Sequence, residues 1–187
     1  MDFFESLSKL EAVPELHCAR LLILLQAFSG EDGKQEIEGL TKLAKLDFFL
    51  RYPLMLEKGL AARRVSPKAA EVQPYEKDSV ESKMVRYRYG PWDHRYWQFL
   101  ALLQAKGLLN VYRKGLGRIF SLTEKGRLIA KTLAAKKEYA IVARRARVLK
   151  RSFDMSATKI MRFVYATFPE IGSLQINREI NHENTNP

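Results

Sequence analysis

The chain has 187 residues, of which 47% are hydrophobic and 28% charged, a formal net charge of +11 and a single cysteine. That length suits one domain or two small subdomains sharing a core, and the apolar share excludes a disordered chain. No apolar run approaches the roughly 18–20 residues of a membrane helix, the acidic N-terminus MDFFESLSKLEAV lacks the basic start of a signal peptide, and lone Cys18 excludes an internal disulfide; the expectation is a cytoplasmic protein that makes no membrane contact.

Pro14 opens the first predicted helix, ELHCARLLILLQAF. Leu16, Ala19, Ile23 and Ala27 form a stripe that Leu22, Leu25 and Phe28 widen, the pattern of a mostly buried helix. SGEDGK at 29–34 ends it. A second helix follows over EIEGLTKLAKLDFFLRY, with Leu43, Leu46, Phe49 and Leu50 on one face and Leu40 extending it. Pro53 bends or ends this helix, and 54–62 continue as a short one. Residues 63–78 carry two prolines and no period. They predict a loop or linker, long enough to be mobile or to meet a partner.

SVESKMVRYRY reads as a strand or extended lead-in. GPWD turns the chain, and Asp93 is placed to cap HRYWQFLALLQAKGLL, where Trp92, Tyr96, Phe99, Leu100 and Leu103 keep helical spacing. Gly107 closes that helix. A strand at 108–113, a glycine-rich turn at 114–118 and a return strand at 119–122 predict a hairpin, and Thr123 caps the next helix, TEKGRLIAKTLAAK. A long basic helix is expected at 136–153, and a last helix over SATKIMRFVYATF, capped by Ser156 and stopped by Pro169. The polar tail reads as disordered. The organisation is an N-terminal helical region (1–62), a linker (63–78), a winged-helix-like region (79–135), C-terminal helices (136–171) and a tail (172–187). A helix, a hairpin and then a helix beginning LTEKG (122–126) resemble the ending of many winged-helix domains, so the expected fold class is mainly α with a small β-hairpin: a winged-helix-like α+β domain with additional N- and C-terminal helices.

Catalytic signatures are missing from the sequence. GEDGKQ has the wrong spacing for a phosphate-binding loop, and His17, His94 and His182 have no metal-ligand spacing. Asp78, Glu81 and Lys83 imitate a nuclease cluster only weakly. No catalytic, cofactor-binding or metal-binding residue is predicted, and the expectation is a protein that is not an enzyme.

Charge is the more informative signal. Residues 1–50 carry a net −4, whereas 101–150 carry +11, equal to the whole excess. A concentrated basic block commonly faces a polyanion, since phosphate neutralisation releases counterions; the plainer reading is a solvated surface. Arg113, Lys114 and Arg118 lie at the hairpin turn, where a tip reaches phosphates. Lys125, Arg127, Arg144 and Arg145 extend the block. In the extended stretch Arg86 and Arg88 share one face while Val85, Tyr87 and Tyr89 share the other, so the rings join the core and the arginines remain for phosphate or an acidic partner. These nine cations form the predicted nucleic-acid-binding set. Cations without clear base-reading amides favour backbone contact over sequence reading.

The segments GLTKLAKLDFFLRYP (39–53), RYRYGPWDHRYWQFLALLQAKGLL (86–109) and TKIMRFVYATFPEI (158–171) together resemble the small middle component of three-component ABC-ATPase systems of the Lamassu type, which act against phages and plasmids. The similarity spans about residues 16–171. It implies a non-catalytic accessory subunit that accompanies a large SMC- or Rad50-like ATPase and an effector, often a nuclease, and that touches double-stranded DNA. Two other readings stay open at this point. One is a stand-alone winged-helix transcription regulator that dimerises through 136–153; the other is an RNA-binding adaptor.

Overall fold

A computed structural model describes residues 13–30, 32–76, 84–87, 90–173 and 180. The chain is mainly helical, with a small three-stranded antiparallel sheet. Helix α1 (Pro14–Phe28) starts on a proline, whose missing N–H is no loss at the first helical position. It is buried on almost every side, from His17 to Leu25. Gly39, at φ +88, swings the chain from a two-residue strand β1 (Ile37–Glu38) straight into α2 (Leu40–Arg51). Tyr52 then breaks the helix, and Pro53 begins α3 (Pro53–Ala62).

Segment 63–78 departs from the expected linker. It forms 3₁₀ turns at Pro67–Ala70 and Pro74–Glu76, and Ala70 is fully buried. The segment packs on α3 and, through Arg145, on the C-terminal helices. Only its last two residues lie outside the described set.

Strands β2 (Val85–Tyr87) and β3 (Gly90–Trp92) form a short hairpin with Val85 opposite Trp92. The expected strand residues 79–83 lie outside the described residues, and Trp92 sits on β3, not on the helix assigned to it. Asp93 does not cap that helix from the N-cap position. It accepts the backbone N–H of Arg95, and α4 (Tyr96–Ala105) begins one residue later. Gly107, at φ +68, ends the turn as expected.

The predicted hairpin is present as β4 (Leu109–Lys114) and β5 (Gly117–Leu122). β1 pairs with the outer side of β5, so the order is β1–β5–β4 with Ile37 opposite Phe120 and Arg113 opposite Arg118. Thr123 caps α5 (Glu124–Ala135) by accepting the Gly126 N–H. The long helix expected at 136–153 is shorter: Lys136 is extended, 137–139 form a 3₁₀ turn, and α6 spans only Ala140–Phe153. Helix α7 (Ala157–Thr167) is capped by Ser156 as expected, and Pro169 starts a short α8 (Pro169–Ser173). Ile180 corrects the reading of the tail. It is fully buried, and its N–H donates to the Met84 carbonyl at 2.8 Å. The rest of 174–187 lies outside the described residues, as do 1–12.

One hydrophobic cluster runs from Cys18 to Ile180 and includes residues of every helix from α1 to α8. At its centre Phe49 stacks on Phe153 at 4.8 Å, with Phe48, Phe163 and Phe168 around them. Among the described residues no helix is long and apolar enough to cross a membrane.

The LTEKG stretch has a specific geometric basis. Thr123 donates its hydroxyl to the Gly107 carbonyl and its N–H to that of Leu108. This pulls α5 so close to the start of β4 that a Cβ on Gly126 would lie 2.0 Å from the Leu108 carbonyl oxygen. Gly126→Ala is therefore expected to lower stability by ~2–3 kcal/mol through forced backbone displacement, read as a fall in the urea midpoint. An unchanged midpoint would show that α5 shifts without cost.

Candidate nucleic-acid interface

The β4–β5 hairpin turns through two residues, Gly115 and Leu116. Gly115 has φ +61 while Leu116 keeps a negative φ, the pattern of a type II′ turn with glycine first. Side-chain alternation divides the hairpin into two faces. Leu109, Val111, Phe120 and Leu122 share the core face, and Arg113 and Arg118 continue it beyond the core, directly opposite each other. The other face carries Tyr112, Lys114 and, across β1, Glu38. Tyr112 donates its hydroxyl to Glu36 on that side.

The arginine face is braced by α4. The Arg118 guanidinium stacks on the Trp97 ring at 4.4 Å, and Trp97 remains 44% exposed. Arg113, Lys114 and Arg118 are exposed, and none has a carboxylate within ion-pair distance among the described residues. Like charges directly opposite on a sheet repel. Two unpaired arginines held face to face thus make a site that an anion relieves.

Lys125 and Arg127 lie at the other end of the hairpin, in the first turn of α5. Lys125 is exposed, its amine 3.2 Å from the Lys106 carbonyl. Arg127 is half-buried, donates to the Leu122 carbonyl and lies against Gly33. The structure thus places five of the nine predicted cations on one hairpin and the helix leaving it, three at the tip and two at the base.

Of the remaining four, Arg144 and Arg145 are engaged elsewhere. Arg145 is buried, 2% exposed, and its guanidinium donates to the carbonyls of Ala70 and Glu71 and to both oxygens of Glu76. It fastens the 67–76 segment to α6 and is removed from the binding set. Arg144 is exposed but holds both oxygens of Glu71 at 2.8 and 2.9 Å. Arg86 lies on β2, opposite Pro91. Arg88 lies outside the described residues.

The sequence reading missed the solvent face of α4. Trp97, Gln98, Ala101, Gln104 and Ala105 are exposed there. Gln98 and Gln104 offer amides suited to base edges, on the helix that carries Trp97. Their helical spacing was visible, but which face the core takes was not.

Beneath this surface lies a buried polar network. Asp47, fully buried, accepts from Arg20 at 2.6 and 3.1 Å and from the Tyr96 hydroxyl at 2.8 Å. Burial works to raise its pKa, but the charge and hydrogen bonds of Arg20, then Arg51 and Tyr96, hold it below the usual carboxylate range. Asp93 accepts from Arg51 at 2.8 Å and from Arg95. Burial opposes its ionisation too, and the Arg95 hydrogen bonds with the Arg51 charge overcome this and hold its pKa low. Lys45 differs. It is 1% exposed, donates to the Pro91 carbonyl at 2.9 Å, and burial lowers its pKa to about 7.

Among the described residues no three His, Cys, Asp or Glu side chains group as metal ligands. An apolar cleft of about 230 Å³ between α1, α4 and α5 is lined by Leu16, Ala19, Leu103, Leu133 and Cys18. Burial pushes the Cys18 thiol up to about 11, away from a reactive thiolate. His17 stacks on Phe99 at 4.8 Å.

Two measurements check these assignments. Arg145→Ala is expected to cost ~3–5 kcal/mol by leaving Glu76 without its partner, whereas exposed Arg147→Ala stays within ~0.5 kcal/mol; equal urea midpoints would return Arg145 to the surface set. For Lys45 the folded pKa lies below the unfolded one, so from pH 7 to about pH 10 the unfolded chain holds a proton that the folded chain lacks. Stability relative to Lys45→Met therefore rises with pH across that window, by up to ~1.4 kcal/mol per unit, and a flat difference in urea midpoints would contradict the burial of the amine.

No family model, curated protein or solved structure matches this chain.

Proposed function

We propose that this chain is a non-catalytic winged-helix accessory subunit of an SMC/Rad50-like ATPase complex in anti-phage and anti-plasmid defence, bridging the ATPase and an effector and contacting the backbone of double-stranded DNA. The observation that carries the reading is the cationic β4–β5 hairpin in the sheet order β1–β5–β4. A helix, a short strand, a helix, a further helix and a hairpin follow one another as in a winged helix, with residues 53–95 inserted ahead of α4. The hairpin takes the place of the wing and α4 that of the groove-facing helix. The three segments that carry the Lamassu-type resemblance also pack together: α2 contacts β3 and α7, and α7 and α8 contact β3. Scattered packing patterns that meet in space support the resemblance better than they would apart.

The regulator alternative has less to stand on. Its dimer helix was to be 136–153, but α6 is shorter and directs Ala143, Ala146, Leu149 and Phe153 into the shared core. The apolar face needed for a partner helix is occupied.

The test uses fluorescence anisotropy of the full chain with a labelled duplex across a salt series, beside the same chain with Arg113, Lys114 and Arg118 changed to Glu. The wild type is expected to bind with a steep salt dependence. The variant loses most affinity, with a log–log slope reduced by about 2–3. Tighter binding to RNA than to DNA would move the protein to the adaptor class. Absence of any stable complex with a co-expressed coiled-coil ATPase would sink the subunit assignment.

A further inference from the structure

Leu116 stands at the hairpin tip fully exposed, at 101% of its reference area. Turn geometry does not require it. The positive φ of the type II′ turn falls on Gly115, so position 116 accepts polar residues that would be better solvated. Space around the tip is open, since a Cβ on Gly115 would meet nothing within 4 Å. An isolated exposed leucine is ordinary on a protein surface. This one is flanked by Lys114 and Arg118, with Arg113 opposite Arg118 one rung below. The arginine face behind it continues to the Trp97 ring, while Glu36 and Glu38 lie toward the other face.

We infer that Leu116 is an apolar wedge that the hairpin inserts between base pairs of duplex DNA from the minor groove, with Arg113, Lys114 and Arg118 on the flanking phosphates. This rests on the duplex-contact part of the proposed function and deepens it from backbone contact to deformation of the duplex. The physical logic is complementary. Cations bring the tip to the groove, and a leucine too short to reach across it gains burial only by entering a base step. Unstacking costs least at pyrimidine–purine steps, mismatches and nicks, so the wedge favours DNA that already bends. A protein socket would leave the three neighbouring cations needing acidic partners, whereas a duplex supplies both apolar base faces and phosphates.

The experiment compares the wild type, Leu116→Ala and Leu116→Met on a duplex with donor and acceptor dyes at its ends and 2-aminopurine at a central TA step. Leu116 makes no core contact, so all three are expected to share one melting temperature. The wild type is expected to raise both energy transfer, by bending, and 2-aminopurine fluorescence, by unstacking. Leu116→Ala should abolish both and weaken binding about tenfold with an unchanged salt slope, and Leu116→Met should restore them. Binding and bending by Leu116→Ala equal to wild type would overturn the wedge while leaving backbone contact intact. A wild type that binds no duplex would overturn both. Unaltered DNA binding by Leu116→Ala together with loss of a co-purified partner would assign the leucine to a protein socket instead.

Discussion

The architecture depends on burying charge in a helix that has no solvent side. α2 places Lys42, Lys45, Asp47 and Arg51 inside the molecule together with Leu43, Leu46, Phe48 and Phe49. Ions removed from water cost several kcal/mol each unless partners are held in good geometry. Here the partners come from other elements: Arg20 of α1 and Tyr96 of α4 on Asp47, Asp93 after β3 on Arg51, and Asp154 after α6 on Lys42. Each pair fixes one element against α2, so the network specifies the arrangement of α1, β3 and α4 more than it stabilises the fold. The β2–β3 hairpin is positioned by the same logic, since Lys45 reaches the Pro91 carbonyl and Gly90 leaves room for its side chain. Any larger residue than glycine would press on Lys45 at 3.1 Å.

What was legible in the sequence was local. Thr123 and Ser156 act within one turn of their helices, and glycine at 107 and 115 answers a backbone requirement. The hairpin could be read because both strands and their turn are contiguous. What was not legible depended on partners far along the chain. β1 is two residues long and exists only because β5 offers it an edge. The basic stripe of α6 looked uniform, yet Arg145 and Arg147 have opposite fates because Glu76, sixty-nine residues away in sequence, reaches one and not the other. Ile180 lies in a polar tail, and its burial shows only in its contacts with Met84 and Tyr52, far back in the chain. The candidate site divides the same way: the wing cations were read from the turn, but Trp97 as their brace was not.

Braced and unbraced charge therefore have different meanings in this molecule. Buried and half-buried cations of the body are matched: Arg20 with Asp47, Arg51 with Asp93, Lys42 with Asp154, Arg145 with Glu76. Burial enforced that matching, because an unpaired ion there would be costly. The wing cations are exposed, and exposure removes the requirement. Surface ion pairs contribute little to stability, so stability alone is indifferent to whether Arg113 and Arg118 have partners. Their arrangement is still not neutral, because they face each other across the hairpin and repel.

The position of Trp97 turns this repulsion into a directional feature. Stacking on the ring favours one orientation of the Arg118 guanidinium by about 0.5–1 kcal/mol at an exposed site, which limits how far the two arginines can swing apart. The ring in turn is carried at the start of α4, one residue after Tyr96, whose hydroxyl is held by buried Asp47. A continuous line of contacts thus runs from the most buried carboxylate of the core to the most exposed charges of the wing: Arg20, Asp47, Tyr96, then Trp97 and Arg118. Rigid support of this kind reduces the conformational entropy that an arginine loses on meeting an anion. The buried cations of the body are held by carboxylates or, for Lys45, by the Pro91 carbonyl, whereas the wing cations stand exposed on a braced hairpin, where an anion would meet an arginine already oriented.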